Sequence, residues 1–209
     1  DLIISGINSD NQFVTLYYTN IGNGNFFEEK LFNMDGFIRG EIDIVDKDND
    51  GDNDLFVSGV SGEVGNQYYQ ERDRNNTYYW GGYNSDVGVG LSDGNTEYLD
   101  IDGDGLMDYL SIGRNDLNST QVDSRSNLMD LTYLPKLLNT DFDFADYNND
   151  GLSDVVISGE DANTGLGITK LYVTYADQFG SNYQLIETDL ELEGLRESSV
   201  DWIDYDKDG

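Results

Sequence analysis

The 209-residue chain has no cysteine, no histidine, a single proline and only 11 Lys and Arg against 42 Asp and Glu. Without cysteine, no disulfide staples the fold and no thiolate holds a metal. Without histidine, the commonest general base and the commonest transition-metal ligand are both missing. The formal charge of −31 excludes the basic patches that nucleic acid and anionic membrane surfaces require. No apolar run approaches the roughly 20 residues of a membrane span, so membrane insertion is not expected. No Pro/Gly/Ser-rich linker and no shift in composition divides the chain, and its length suits one domain.

What it has in excess is aspartate, and the aspartates are patterned. Residues 45–59 read VDKDNDGDNDLFVSG. Four carboxylates turned toward one point would stand about 5 Å apart, each pair costing about 3 kcal/mol at an effective dielectric near 20. A compact loop of this kind needs a counter-charge, and no Lys or Arg follows the pattern to supply it. Asp at positions 1, 3, 5 and 9 with Gly at 6 is the grammar of an oxygen-ligated calcium loop. In such a loop alternate side chains turn inward, the glycine makes the bend and residue 7 offers its carbonyl.

The pattern recurs. Residues 98–113 read YLDIDGDGLMDYLSIG, residues 144–159 read FADYNNDGLSDVVISG, and residues 202–209 read WIDYDKDG. The opening DLIISG matches DLFVSG and DVVISG from position 9 onward. A glycine follows position 9 by the same step at Gly6, Gly59, Gly113 and Gly159, and an acid stands three residues before each loop at Asp43, Glu97, Asp143 and Asp201. The sequence alone suggests no physical role for that acid. First ligand positions at 46, 100, 146 and 204 are separated by 54, 46 and 58 residues, a period that suits a four-stranded propeller blade or a solenoid turn.

These phrases resemble the FG-GAP/VCBS repeat family, the calcium-binding blades of integrin-α-like β-propellers and of many secreted bacterial proteins. The resemblance covers essentially the whole chain, and IDYDKDG and LYYTNIGNGNF are most similar to the bacterial members. It implies an all-β fold of four propeller repeats, approximately 1–53, 54–107, 108–153 and 154–209, within a ring of seven or eight blades. Both ends cut through a loop, so the resemblance implies further domains in the same longer chain. A closed four-bladed ring is the lesser alternative.

Carried over by position, the first loop's ligands would be Asp46, Asp48, Asp50, the Asp52 carbonyl and Asp54. The second loop would use Asp100, Asp102, Asp104, the Leu106 carbonyl and Asp108. The third would use Asp146, Asn148, Asp150, the Leu152 carbonyl and Asp154; Asn148 departs in charge only. Asp1 and Asp204, Asp206 and Asp208 would belong to incomplete loops. Three Ca2+ ions would leave the charge near −25. EF-hands are set aside because position 12 is Val57, Ser111 or Ile157 inside a strand-like run, with no flanking helix.

Along the chain, strand-like segments rich in Val, Ile, Tyr and Phe alternate with Gly, Asn and Asp turns. FVTLYYT at 13–19 and TKLYVTY at 169–175 are clear examples, and Asn23-Gly24 signals a hairpin turn. LII, LFV and VVI are apolar on both faces, as expected of strands packed between neighbours. Only 128–138 is ambiguous. The aromatic cluster Tyr68, Tyr69, Tyr78, Tyr79, Trp80 and Tyr83 reads as core between blades, with a sugar- or protein-binding platform as the alternative. Asn75-Asn76-Thr77 and Asn118-Ser119-Thr120 match the glycosylation pattern but carry little weight in an Asn-rich chain, and Arg39-Gly40-Glu41 is not an RGD tripeptide.

No nucleophile–base pair and no phosphate loop appears, and the clustered acids already have calcium roles, so no enzyme is expected. The expectation is a calcium-stabilised binding or adhesion module, extracellular or at the cell surface, with an unknown protein or glycan ligand. Weak loops of this type, binding at roughly 0.1–1 mM, fill only outside the cytosol. The alternatives are a carbohydrate-active or sugar-binding propeller, of lectin or polysaccharide-lyase type with Arg72, Arg74 and Arg125 as candidate partners, and an architectural spacer.

Overall fold

The computed structural model describes residues 1–29, 36–46, 49–51, 53–61, 64–72, 78–80, 91–101, 105, 107–114, 120–124, 131, 133–178 and 182–205; for 29, 64–72, 78–80 and 120–124 it describes the backbone alone. The protein is all-β, with fourteen strands and no helix among the described residues. Four sheets form in chain order, every pairing antiparallel. The first holds β1 (Leu2–Ile7), β2 (Phe13–Gly22) and β3 (Asn25–Glu29). The second holds β4 (Ile42–Val45), β5 (Asp54–Ser61), β6 (Val64–Arg72) and β7 (Tyr78–Trp80). The third holds β8 (Ser92–Leu99), β9 (Asp108–Arg114) and β10 (Thr120–Ser124). The fourth holds β11 (Leu137–Ala145), β12 (Asp154–Asp161), β13 (Gly167–Ala176) and β14 (Tyr183–Glu187).

The second, third and fourth sheets each join the strand before an aspartate loop to the strands after it. The sheets are therefore offset from the sequence repeats, which begin at position 9 of the loop. Asn23 (φ 56°) and Gly24 (φ 76°) make the tight β2–β3 turn, both in the left-handed region that a primed hairpin turn requires.

The sheets pack face to face. On β5, Leu55 and Val57 point to one side, with Phe37, Ile3 and Ile42, while Phe56 points to the other and meets Tyr98 edge-on at 4.7 Å. A larger cluster joins the third sheet to the fourth through Leu110, Ile112, Phe142, Val155, Ile157 and Tyr172. LFV is thus buried from both sides, and VVI is buried through Val155 and Ile157 on one face and half-buried at Val156 on the other. LII is not: β1 is the edge of its sheet, and Leu2 and Ile4 are exposed.

One backbone device recurs that the sequence did not disclose. Arg39, Asp93, Asn139 and Glu197 all adopt left-handed φ, between 47° and 55°, and each lies seven residues before a first ligand position. In the third and fourth sheets this is a bulge, with Asp93-Gly94 and Asn139-Thr140 inserted into the ladder. The residue after the bulge lies against the neighbouring strand. A Cβ on Gly40 or Gly94 would stand 1.9 Å from the carbonyl oxygen of Ser58 or Ile112. The bulge rests on the repeated glycine after position 9: Gly40 Cα is close to Gly59, and Gly94 Cα to Gly113. That close approach accounts for both glycines.

Candidate metal loops and the inner edge

Each complete loop is the connection of a hairpin, closed by the same pair: Val45 opposite Asp54, Leu99 opposite Asp108, Ala145 opposite Asp154. The position-1 aspartate folds the loop by accepting the glycine N–H at position 6. Gly51 donates to Asp46, Gly105 to Asp100 and Gly151 to Asp146, each at 2.9 Å. In the first and third loops its other oxygen takes the position-5 N–H, from Asp50 at 3.0 Å and Asp150 at 2.9 Å. Left-handed φ at Asn49 and Asn149, and at all three glycines, completes the turn.

Position 9 is the buried end. Asp54, Asp108 and Asp154 are each less than a tenth exposed. The position-2 N–H reaches this carboxylate from Ile101 at 3.1 Å and Tyr147 at 3.0 Å. Asp154 also takes the Thr174 N–H at 2.8 Å, and Asp1 takes the Asn20 N–H, also at 2.8 Å, at the corresponding place in the first sheet. Burial pushes the Asp154 carboxyl above its ordinary range, while the Thr174 and Tyr147 N–H groups pull it down.

Asp46, Asp50, Asp54, Asp100, Asp108, Asp146, Asn148, Asp150, Leu152 and Asp154 are thus placed in or beside these turns. Asp48, Asp52, Asp102, Asp104, Leu106, Asp206 and Asp208 lie outside the described residues, and Asp204 is exposed near the end of the chain. Among the described residues no three acids already stand in metal-holding geometry. In the third loop the oxygens instead serve the loop: Asp150 accepts from Leu152 N–H and from Asn148 Nδ2, both at 2.9 Å. The donor set nonetheless fits a hard cation. It is all oxygen, one carboxylate in each loop is buried, and a carboxylate with two N–H donors keeps lone pairs free.

At Asp143 the acid three residues before the loop acquires a role. Adjacent sheets share no backbone ladder, and acidic side chains just before the loops bridge the second sheet to the third and the fourth sheet to the C-terminal segment. Glu41 accepts the Thr96 N–H at 3.0 Å, Asp141 the Val200 N–H at 2.9 Å and Asp143 the Trp202 N–H at 2.7 Å. Between β8 and β11 the direction reverses, with Asn95 Nδ2 donating to Asp141 at 2.9 Å. The loops also touch, Asn49 Nδ2 donating to the Gly105 carbonyl at 3.2 Å. The four left-handed positions come together: Arg39, Asp93, Asn139 and Glu197, with the residues after each, line one open cleft of about 490 Å³.

The charges along this inner edge are nearly all negative. Burial lifts the Asp43 carboxyl to about 7, with Glu41 adding to it. Burial lifts Glu97 to about 8, reinforced by Asp143, Glu41, Asp43 and Asp141. Sequence reading missed Glu41, Asn95 and Asp141, five residues before their loops, because Glu, Asn and Asp in turn give no fixed pattern. The aromatic residues 68, 69, 78, 79 and 80 lie on β6 and β7, but their side chains, like all of Tyr83, are outside the described set.

Comparison of the chain with protein-family models, with curated proteins and with solved structures finds no match.

Proposed function

We propose that these sheets are blades of a calcium-stapled β-propeller of the FG-GAP/VCBS kind, serving as a binding or adhesion module of a secreted or surface-exposed protein. The observation that carries the reading is the threefold recurrence of one loop: same spacing, same closing pair, same Gly N–H to position-1 carboxylate bond. The convergence of the four left-handed positions on one cleft favours sheets arranged about a common axis. In each loop the chain's part is to hold position 1 by backbone donors, two of them in the first and third loops, and to present position 9 from inside the sheet. Calcium would supply the positive charge that several close carboxylates lack, and would favour the ionised form of the buried one. Binding at the turn would fasten the innermost strand of a blade to the next strand out.

The test is a thermal melt in about 2 mM calcium, in excess chelator, and in magnesium. A calcium-specific rise in midpoint is the expected result. Equal midpoints in all three would mean that the loops are acidic turns, and the calcium and location readings would go together.

A further inference from the structure

The second feature of the inner edge does not depend on calcium. Five carboxylates stand along three successive sheets, Glu41 and Asp43 beside and on β4, Glu97 on β8, and Asp141 and Asp143 on β11, and the charges of the other four all bear on Glu97. Three of them spend oxygens on the joints, Glu41 on Thr96, and Asp141 and Asp143 on Val200 and Trp202. Asp43 has an oxygen, Oδ2, that is buried and without a hydrogen-bond partner among the described residues. The described cations do not reach into this row: Arg39 and Arg114 sit at its mouth, 3.7 and 3.9 Å from Asp93. The other titratable groups packed here are Tyr98 and Tyr109, 5.8 Å apart, which bring no positive charge.

We propose that this acidic row is a proton-gated joint: Asp43 and Glu97 carry protons while β4, β8 and β11 are packed together, and their ionisation loosens the three sheets. A buried carboxyl surrounded by like charges is held neutral by desolvation and repulsion. Both groups have folded values raised above the unfolded ones, so the folded state binds more protons than the unfolded state. The stabilisation is full below the ordinary carboxylate range near 4, and is lost as pH rises through about 7 and about 8. Such a module would be tight in mildly acidic surroundings and looser in alkaline ones.

The test follows the melting midpoint of the whole chain from about pH 5.5 to about pH 8.5 at constant ionic strength, both in saturating calcium and in chelator. Carboxyl-carbon NMR titration of Asp43 and Glu97 accompanies it. The midpoint is expected to fall by on the order of 5 °C across this range, discounted for the solvent that reaches Glu97. D43N/E97Q should lose at least half of that fall and melt above the parent at the alkaline end. The two carboxyls should titrate above about pH 6. A double variant that keeps the parent's full pH slope, or carboxyls that titrate below about pH 5, overturns the proposal. Should the variant not fold, the titration of the parent chain decides. A calcium-insensitive melt that still shows the pH slope would sink the calcium reading and leave this one standing.

Discussion

The Asp143 carboxylate accepts the backbone N–H of Trp202 at 2.7 Å, and the indole Nε1 of Trp202 donates to the Asp143 carbonyl oxygen at 3.1 Å. The two residues lie 59 positions apart, Asp143 on β11 and Trp202 in the C-terminal segment, which forms no strand. A side chain therefore ties this segment to the fourth sheet where no backbone ladder does. The same acid also receives the Phe144 N–H at 2.8 Å, so both its oxygens are engaged.

Removing that carboxylate leaves the Trp202 N–H without its acceptor. Asp143→Ala should cost about 1.5–3 kcal/mol, the range for a hydrogen bond to a charged group. Asp143→Asn keeps an acceptor oxygen and should cost less. Amide exchange at Trp202 should accelerate in the alanine variant beyond the change in global stability. Unchanged protection at Trp202 would show that the strap is not what holds the last segment.

The bulges make a prediction of opposite signs. Gly94→Ala places a Cβ 1.9 Å from the Ile112 carbonyl oxygen, a clash with backbone that no rotamer relieves. A loss of about 3 kcal/mol or more is expected. Thr140 occupies the corresponding place in the fourth sheet, is 6 % exposed, and its Oγ1 has no partner among the described residues. Thr140→Gly should therefore stabilise, by about 1 kcal/mol, since an unsatisfied buried hydroxyl costs about 1–3 and the added backbone freedom takes back part of it. Denaturant midpoints of the two variants check both signs, and a destabilised Thr140→Gly would refute the second.

A buried hydroxyl pair distinguishes the third sheet. Thr96 Oγ1 and Ser111 Oγ lie 2.7 Å apart, opposite each other on β8 and β9, where the neighbouring sheets pair Ile42 with Val57 and Phe142 with Ile157. Thr96→Val or Ser111→Val alone should cost about 1–3 kcal/mol by stranding the other hydroxyl. The double variant should return to within about 1 kcal/mol of the parent. Additive losses in the double-mutant cycle would mean that the pair is not coupled.

For the loops, Asp150→Asn separates the turn from the cation. An amide oxygen can still accept the Leu152 N–H, so the melt in chelator should change little. With one ligand charge gone, the calcium-dependent rise should shrink. A site held at ten times its dissociation constant contributes about 1.4 kcal/mol, or about 3–6 °C in a chain of this size. An undiminished calcium response in Asp150→Asn would place the ion elsewhere.

The aspartate spacing alone marked the turns, because position-1 carboxylate, position-6 glycine and position-9 carboxylate are local requirements of one hairpin connection. Strand identity was equally legible: LFV and VVI are apolar at consecutive positions, which suits a strand covered on both faces, and Leu55, Phe56 and Val57 are so covered. The acids at 43, 97 and 143 were visible as a recurrence without a reason. The partner of Asp143 lies outside its sheet, more than fifty residues away, and no periodicity within a strand encodes it. The left-handed residues were hidden for a similar cause. Arg39 is not a residue that chooses that conformation; close packing of Gly40 on the neighbouring strand imposes it. What the chain carries locally, the loops, strands and tight turns, is written in adjacent residues. Only the tertiary structure decides which carboxylates meet, and hence which are neutral at their own pH, because charge repulsion and desolvation depend on distances through space.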